Sequence, residues 1–466
     1  MRRPFIGSFS FHRARRRRKK MIFRGTMRRN ERGHLEIGGC DAVELARRFG
    51  TPLYVLDEED VRARCRAYRA AMAAYAPGGT VAYAGKALLC TAVCRLMDEE
   101  GLALDVVSGG ELYTALSADF PAERIIMHGN NKSPAELEAA LRAEVGLIVV
   151  DNEVELAILA ELARAMRKRP RILLRLTPGV EAHTHQYIRT GQQDSKFGLG
   201  IHDGRARAAV ERALALEVVA LAGFHCHIGS QILDLEGFAA AARIMMEFAA
   251  AIKAEYGFAA ELLDLGGGLG IRYTAADHPP SIESYVRVIA EVVAGVAEAA
   301  GCPRPRLILE PGRSIVGEAG VTLYTAGAVK DLPGLRRYVA VDGGMADNPR
   351  VALYQAVYEA ALAERAAERG ERFTVAGKCC ESGDILIWEA ALPEPKFGEI
   401  PAVFSTGAYN YSMASNYNRL PRPALVSCYR GVADLFVARE TYQDLLRHDR
   451  IPSRLRRMAA AAAGVN

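Results

Sequence analysis

The chain has 466 residues and a formal charge of +5, with half of its residues hydrophobic and a quarter charged. That balance belongs to a soluble globular protein of one large and one smaller domain, and no run approaches the roughly 18 apolar residues of a membrane span. The positive excess gathers near the start, where Arg13 and Arg15 to Lys20 form a basic run with no acid before Glu31. The remainder carries no basic stretch suited to nucleic acid.

In chain order, residues 1–30 read as a basic, disordered arm. It has no apolar core of a secretory signal. It is a tether, a targeting peptide, or sequence upstream of a start at Met21 or Met27. Residues 31–56 are assigned to the smaller, β-rich domain. From about residue 80, short apolar runs alternate with Ala-rich amphipathic ones. The predicted strands are Val81 to Gly85, Leu102 to Val107, Arg124 to His128, Leu147 to Asp151, Arg171 to Thr177, Ala220 to His225, Glu261 to Leu265 and Leu307 to Glu310. Predicted helices between them include Pro134 to Arg142, Glu153 to Arg167 and Gly237 to Tyr256. Strand–helix alternation implies parallel strands joined by helical crossovers. Repeated over residues 57–312 it predicts a closed (β/α)8 TIM-like barrel, with an open doubly wound sheet as the alternative. Residues 313–450 change texture. Val321 to Val329, Arg337 to Val341, Phe373 to Gly377, Ile385 to Trp388 and Ala424 to Tyr429 read as strands, Val351 to Arg369 as the one helix. This predicts a C-terminal β-rich domain, followed by a basic, Ala-rich tail over 451–466. The nine cysteines are scattered, with no paired CxxC. They suit a reducing cytoplasm, mostly as small core hydrophobes.

In such a barrel, reactive groups gather at the C-terminal ends of strands. The first strand ends in Tyr83-Ala84-Gly85-Lys86, and a lysine there can form a Schiff base with an aldehyde, although taken alone it reads as a surface lysine. The sixth ends in His225-Cys226-His227-Ile228-Gly229-Ser230. Either imidazole can stack on a planar ring, and the Gly-Ser turn can approach a phosphate. A zinc pair or core histidines are the alternatives, and zinc lacks a third ligand at a familiar spacing. The seventh ends in Gly266-Gly267-Gly268, whose bare amides can cradle an anion. The eighth ends in Glu310-Pro311-Gly312-Arg313. Its carboxylate can keep a pyridine nitrogen protonated, and its arginine can bind a carboxylate or phosphate. Converging on one barrel mouth, these groups describe a site for pyridoxal 5′-phosphate. No resident metal is expected.

Longer motifs make the pattern specific. They are Tyr83 to Ala87, His128 to Ser133, Ser195 to Leu199, His225 to Gln231, Glu310 to Arg313, Asp342 to Met345, Asn348 to Arg350, Cys380 to Asp384, Gly407 to Tyr409 and Met413 to Asn418. Over about Glu36 to Glu440 the chain resembles the fold-type III pyridoxal-phosphate decarboxylases, which include ornithine, arginine and diaminopimelate decarboxylases, and the likeness is strongest to the diaminopimelate branch. The resemblance implies Lys86 as the Schiff-base lysine and His227 as the ring stacked on the pyridine. It implies Ser230, Gly266 to Gly268 and Gly312 around the phosphate, and Glu310 on the pyridine nitrogen. Arg313 falls between phosphate and substrate. Arg350, Tyr354 and Glu381 fall at substrate positions, Tyr409 touches both molecules, and Cys380 is the proton donor. Cys380 would reach a neighbouring subunit's site, which implies a head-to-tail homodimer. The substrate is expected to be a small amino acid, meso-2,6-diaminopimelate, whose far end needs both a cation and an anion partner. D-ornithine, arginine and carboxynorspermidine are the nearest alternatives. An amino-acid racemase would need a second base in place of the Cys380 motif. A non-catalytic binding protein would have no call for Lys86, His227, Glu310 and Cys380 together. Leu88 and Thr177 depart from the family, which commonly has Asn at both.

Overall fold

The computed structural model describes residues 23–180, 195–366 and 370–456. The basic run Arg13 to Lys20, Met21 and residues 457–466 of the expected tail lie outside the described residues.

The eight strands are Thr80–Ala84, Ala103–Val106, Ile125–Met127, Leu147–Val150, Arg171–Thr177, Ala220–His225, Leu262–Asp264 and Arg306–Leu309. Each pairs in parallel with the next, and the eighth pairs in parallel with the first, closing the barrel. The open sheet is therefore excluded. Strands such as Leu147–Val150 are buried along their whole length, as parallel strands covered on one side by helices and filled on the other must be. Ala82, Ile126, Val149, Leu173, Leu262 and Ile308 fill the barrel interior. The surrounding helices start on local signals. Ser133 and Glu136 form a reciprocal capping box ahead of Pro134–Ala143, and the Asn152 side chain accepts from the Glu155 amide ahead of Glu153–Met166.

The β-rich part contains a six-stranded and a four-stranded sheet. The six-stranded sheet has Leu53–Asp57 near its centre, antiparallel to Gly320–Leu323 and parallel to Ala424–Tyr429. Chain from before the barrel thus completes a sheet made mostly of chain from after it. Three expectations need correction. Residues 23–30, assigned to the disordered arm, are folded: Arg24 pairs with Glu318 at 3.0 Å, Thr26 bonds Asp57, and Arg28–Arg29 pairs with Leu35 and Glu36. The strand expected over Val321 to Val329 is two, Gly320–Leu323 and Ala326–Leu332, in different sheets. At the switch between them the Thr325 amide donates to the Asp342 carboxylate at 2.8 Å. The helix expected over Val351 to Arg369 spans only Arg350–Tyr354. Gln355 turns left-handed at φ 53° and ends it, and Ala360–Leu362 pairs with Pro401–Val403 instead. Those three residues are all buried, so a sheet position covers both of their faces where a surface helix would cover one.

Candidate active site

All eight strands bring a polar side chain to the C-terminal mouth: Lys86, Asp105, His128, Asp151, Arg175, His225, Asp264 and Glu310. Lys86 sits on the 3-10 turn Gly85–Ala87, its side chain 38% exposed, with Nζ 3.2 Å from Asp105. Burial opposes the lysine's charge, but Asp105, with Tyr409 and Glu310 behind it, outweighs burial and holds its pKa above the usual lysine value.

Glu310 is enclosed by two imidazoles. His128 Nε2 lies 2.6 Å from Oε1, and His225 Nε2 lies 3.4 Å from Oε2. Burial works against the Glu310 charge, yet the two histidines outweigh it and keep its pKa well below the usual carboxylate range. Asp264 takes the opposite course. Burial and the charge of Glu310 push it well above that range, since two carboxylates this close cannot both ionise in a dry site. Burial also lowers His225 to about 3. Despite these neighbours, Glu310 Oε1 has no hydrogen-bond donor aligned on it. His128, His225, Asp264 and Glu310 offer atoms within 4.8 Å of one another. The third and fourth ligands that sequence spacing lacked are thus present in space, around His225 and without His227.

His227 stays neutral, its pKa pushed well below normal by burial and then by Lys86 and Arg175. Its Nδ1 accepts from the Gly267 amide at 3.3 Å, which leaves the proton to Nε2. Beside it runs the glycine turn. A Cβ on Gly267 would come 2.1 Å from the Glu310 carbonyl oxygen, and one on Gly268 2.5 Å from that of Gly229. Gly312 is less crowded, a Cβ there meeting those of Ala84 and Ala87 at 3.0 Å. Ser230 Oγ accepts from Arg313 Nη2 at 2.9 Å.

Arg313 and Arg350 are both buried and share one partner. Each donates through Nη1 to the Tyr273 hydroxyl, Arg350 at 2.9 Å, and Arg350 also to that of Tyr358 at 2.7 Å. The Arg313 guanidinium lies over the Tyr409 ring at 4.7 Å, and that of Arg350 is 6.0 Å from the Tyr354 ring. Neither arginine has a carboxylate partner among the described residues. Tyr409, left-handed at φ 65°, is fastened to the first strand's turn by its amide, which donates to the Ala87 carbonyl at 2.7 Å.

Among the described residues, no hydrogen bond or ion pair joins Cys380 or Glu381 to this mouth. Both are exposed on the loop between Glu371–Ala376 and Ile385–Leu392. The Cys380 amide donates to Asn418 at 2.7 Å, and Glu381 bonds within its own loop. Cys380 is the one exposed cysteine of the nine. The residues that sequence reasoning passed over are Asp105, His128, Asp264 and Tyr273. His128 and Asp264 stand at or next to predicted strand ends and Asp105 two residues before one, so the barrel rule could have found them, whereas Tyr273 follows the glycine turn and had no signal. The opposite end of the barrel holds a cavity of about 460 Å³ lined in part by Arg171 and Arg306. Both arginines pair with the single carboxylate of Glu261.

Residues 58–317 match the pyridoxal binding domain of the pyridoxal-dependent decarboxylases. The diaminopimelate decarboxylase of Bacillus subtilis (strain 168) is 54% identical over 430 residues, 92% of this chain and 98% of the relative. That of Mycobacterium tuberculosis (strain H37Rv) is 46% identical over 428 residues, covering 90% and 95%. Among solved structures, the diaminopimelate decarboxylase of M. jannaschii in complex with L-lysine superposes with a TM-score of 0.87 at 36% identity, over 92% of this chain and 99% of that one.

Proposed function

Because the chain belongs to the pyridoxal-dependent decarboxylases, and among them to the diaminopimelate decarboxylase family, we propose that it converts meso-2,6-diaminopimelate to L-lysine and CO2, the last step of lysine biosynthesis. The observation that carries the substrate is the buried pair Arg313 and Arg350, held together without a carboxylate. Two such guanidiniums make a site for an anion, and a substrate with a second amino-acid group brings one.

Pyridoxal 5′-phosphate fits this mouth. Glu310, buried and held anionic, suits a pyridine N–H, and the turn Gly266 to Gly268, where a Cβ has no room, suits the close approach of a phosphate to backbone. On this ground we read the His128, His225, Asp264 and Glu310 cluster as the pyridine-nitrogen end of a cofactor site in place of a metal site. Lys86 would hold the aldehyde, His227 would lie against the ring, and Ser230, Gly266 to Gly268, Gly312, Arg313 and Tyr409 would surround the phosphate. When bound, this cofactor supplies the electron sink for breaking the bond to a carboxylate.

The chain's own groups do the rest. Glu310, kept anionic by two imidazoles, maintains a positive charge at the far end of the ring. His227, kept neutral, can cover that ring without charge repulsion. Arg350 and Tyr354 orient the end of the substrate that does not react. Cys380 delivers the proton that replaces the lost carboxylate at the substrate Cα, and Glu381 takes the distal ammonium. Both do so in a neighbouring copy's mouth, so the working unit is a head-to-tail homodimer. Their exposure, and hydrogen bonds confined to Asn418 and their own loop, support that arrangement. No described helix is long and apolar enough to cross a membrane. The free cysteines suit a reducing compartment, and we place the enzyme in the cytoplasm.

The test is CO2 release from meso-diaminopimelate by the purified protein with added cofactor, run beside D- and L-ornithine, L-arginine and L-lysine. Release from diaminopimelate alone is expected. Release from another of these amino acids in its place would overturn the roles of Arg313, Arg350 and Glu381.

A further inference from the structure

Tyr273 stands where three parts of the molecule meet. It follows the glycine turn of the seventh strand, and its amide is fixed by the Asp277 carboxylate at 3.1 Å. Arg313 reaches it from the end of the eighth strand, and Arg350 from the β-rich part. Its ring packs edge-on against Tyr358, centroids 5.5 Å apart. A phenol oxygen has two lone pairs, and here a guanidinium N–H points at it from either side. Two like charges buried together repel strongly unless something negative or polarisable lies between them. Tyr273 is what lies there. Burial alone would raise the pKa of its hydroxyl, and the two arginines outweigh burial and lower it.

We propose that Tyr273 is a positioning residue for substrate recognition, its hydroxyl locking Arg313 and Arg350 at one separation so that together they present a ready-made site for the distal carboxylate. The inference rests on the reading of the two arginines given above and extends it to a residue that makes the pair work as a unit. The hydroxyl stands in for an anion while the site is empty. When a carboxylate arrives, the guanidiniums are already oriented and their mutual repulsion has already been met, so binding energy is not spent assembling them. Arg313 also donates to Ser230, so the same hydroxyl links the phosphate end of the site to the carboxylate end.

The experiment compares two ligands on the holoenzyme, L-lysine, which keeps the distal carboxylate, and cadaverine, which lacks it. In Tyr273→Phe, inhibition by L-lysine should weaken about tenfold, the effect of losing a hydrogen bond to a charged group, with KM for diaminopimelate rising in parallel. Inhibition by cadaverine and kcat should stay within about twofold of wild type, which a general loosening of the site would not allow. In an Arg350→Gln background the same change should add little, because the hydroxyl acts through the arginine. If Tyr273→Phe does not fold, Tyr273→His is read in the same way. Equal weakening toward both ligands, or full additivity with Arg350→Gln, would overturn the role of Tyr273. A wild-type enzyme that binds cadaverine as well as L-lysine would instead overturn the arginine reading beneath it.

Discussion

Ionisation at the barrel mouth is divided between neighbours. Asp264 keeps its proton so that Glu310 can lose its own, and His225 and His227 stay neutral because they are buried beside cations or inside a dry cluster. This arrangement has a consequence for stability. His225 titrates near 3 in the folded protein against an ordinary 6.5. Between those values the unfolded chain takes up a proton that the native chain refuses, so acidification through that window favours unfolding. His227 is shifted in the same direction and adds to the slope. Denaturant midpoints from pH about 6 to about 4.5 should therefore fall more steeply for wild type than for His225→Gln. The difference should approach about 1.4 kcal/mol per pH unit, the value of one proton. Parallel lines for the two proteins would mean that His225 is charged in the native state.

At the scale of elements, the loop after the seventh strand decides how closely backbone can approach backbone. Gly267 lies against the Glu310 carbonyl with no room for a Cβ, so the turn and the eighth strand are in direct contact. Gly267→Ala should push them apart, lowering Tm and releasing cofactor on dialysis, read as loss of its bound absorbance. Gly295, in helix Ile282–Ala299, meets nothing within 4 Å. Gly295→Ala should leave cofactor retention unchanged and raise stability by about 0.4–1 kcal/mol. Similar damage from both substitutions would remove the packing argument. The missed element, the helix expected from Val351 to Arg369, belongs here too. Its Ala-rich composition favours a helix locally, and the tertiary offer of a strand partner at Pro401–Val403 overrides that preference.

At the scale of the whole molecule, the two residues proposed for the chemistry lie in different places. Lys86 lies in the barrel mouth, whereas Cys380 lies exposed on the β-rich part with its bonds in its own neighbourhood. If each mouth is completed by another copy, two inactive variants can repair one another. Mixed under conditions of subunit exchange, Lys86→Ala and Cys380→Ala should recover up to about a quarter of wild-type activity, because half of the random dimers contain one intact site of two. Failure to recover activity, with exchange verified by a labelled subunit, would place both residues in one chain's site. The pairing of Leu53–Asp57 with strands from residues 320 and 424 onward adds a constraint at this scale. The barrel's own N-terminal approach is built into the β-rich sheet, so the two parts are tied at both ends of the barrel.

The barrel was legible in the sequence because parallel strands buried on both faces must be continuous apolar runs, and the turns between them must be polar or small. Both signals are local. Most of the mouth was legible for the same reason, since Lys86, His227, the glycine turn, Glu310 and Arg313 all stand at ends of strands that can be counted off in order. What depended on tertiary structure was every relation between residues far apart in the chain. Tyr273, Arg313 and Arg350 meet from three elements. Asp264 keeps its proton because it is buried beside Glu310. A sheet partner, and not the chain's own preference, turns Ala360–Leu362 into a strand. Local pattern records which surface a residue can cover. Charge state and side-chain partnership depend on distance in space, and for these residues that distance is set by closing the barrel.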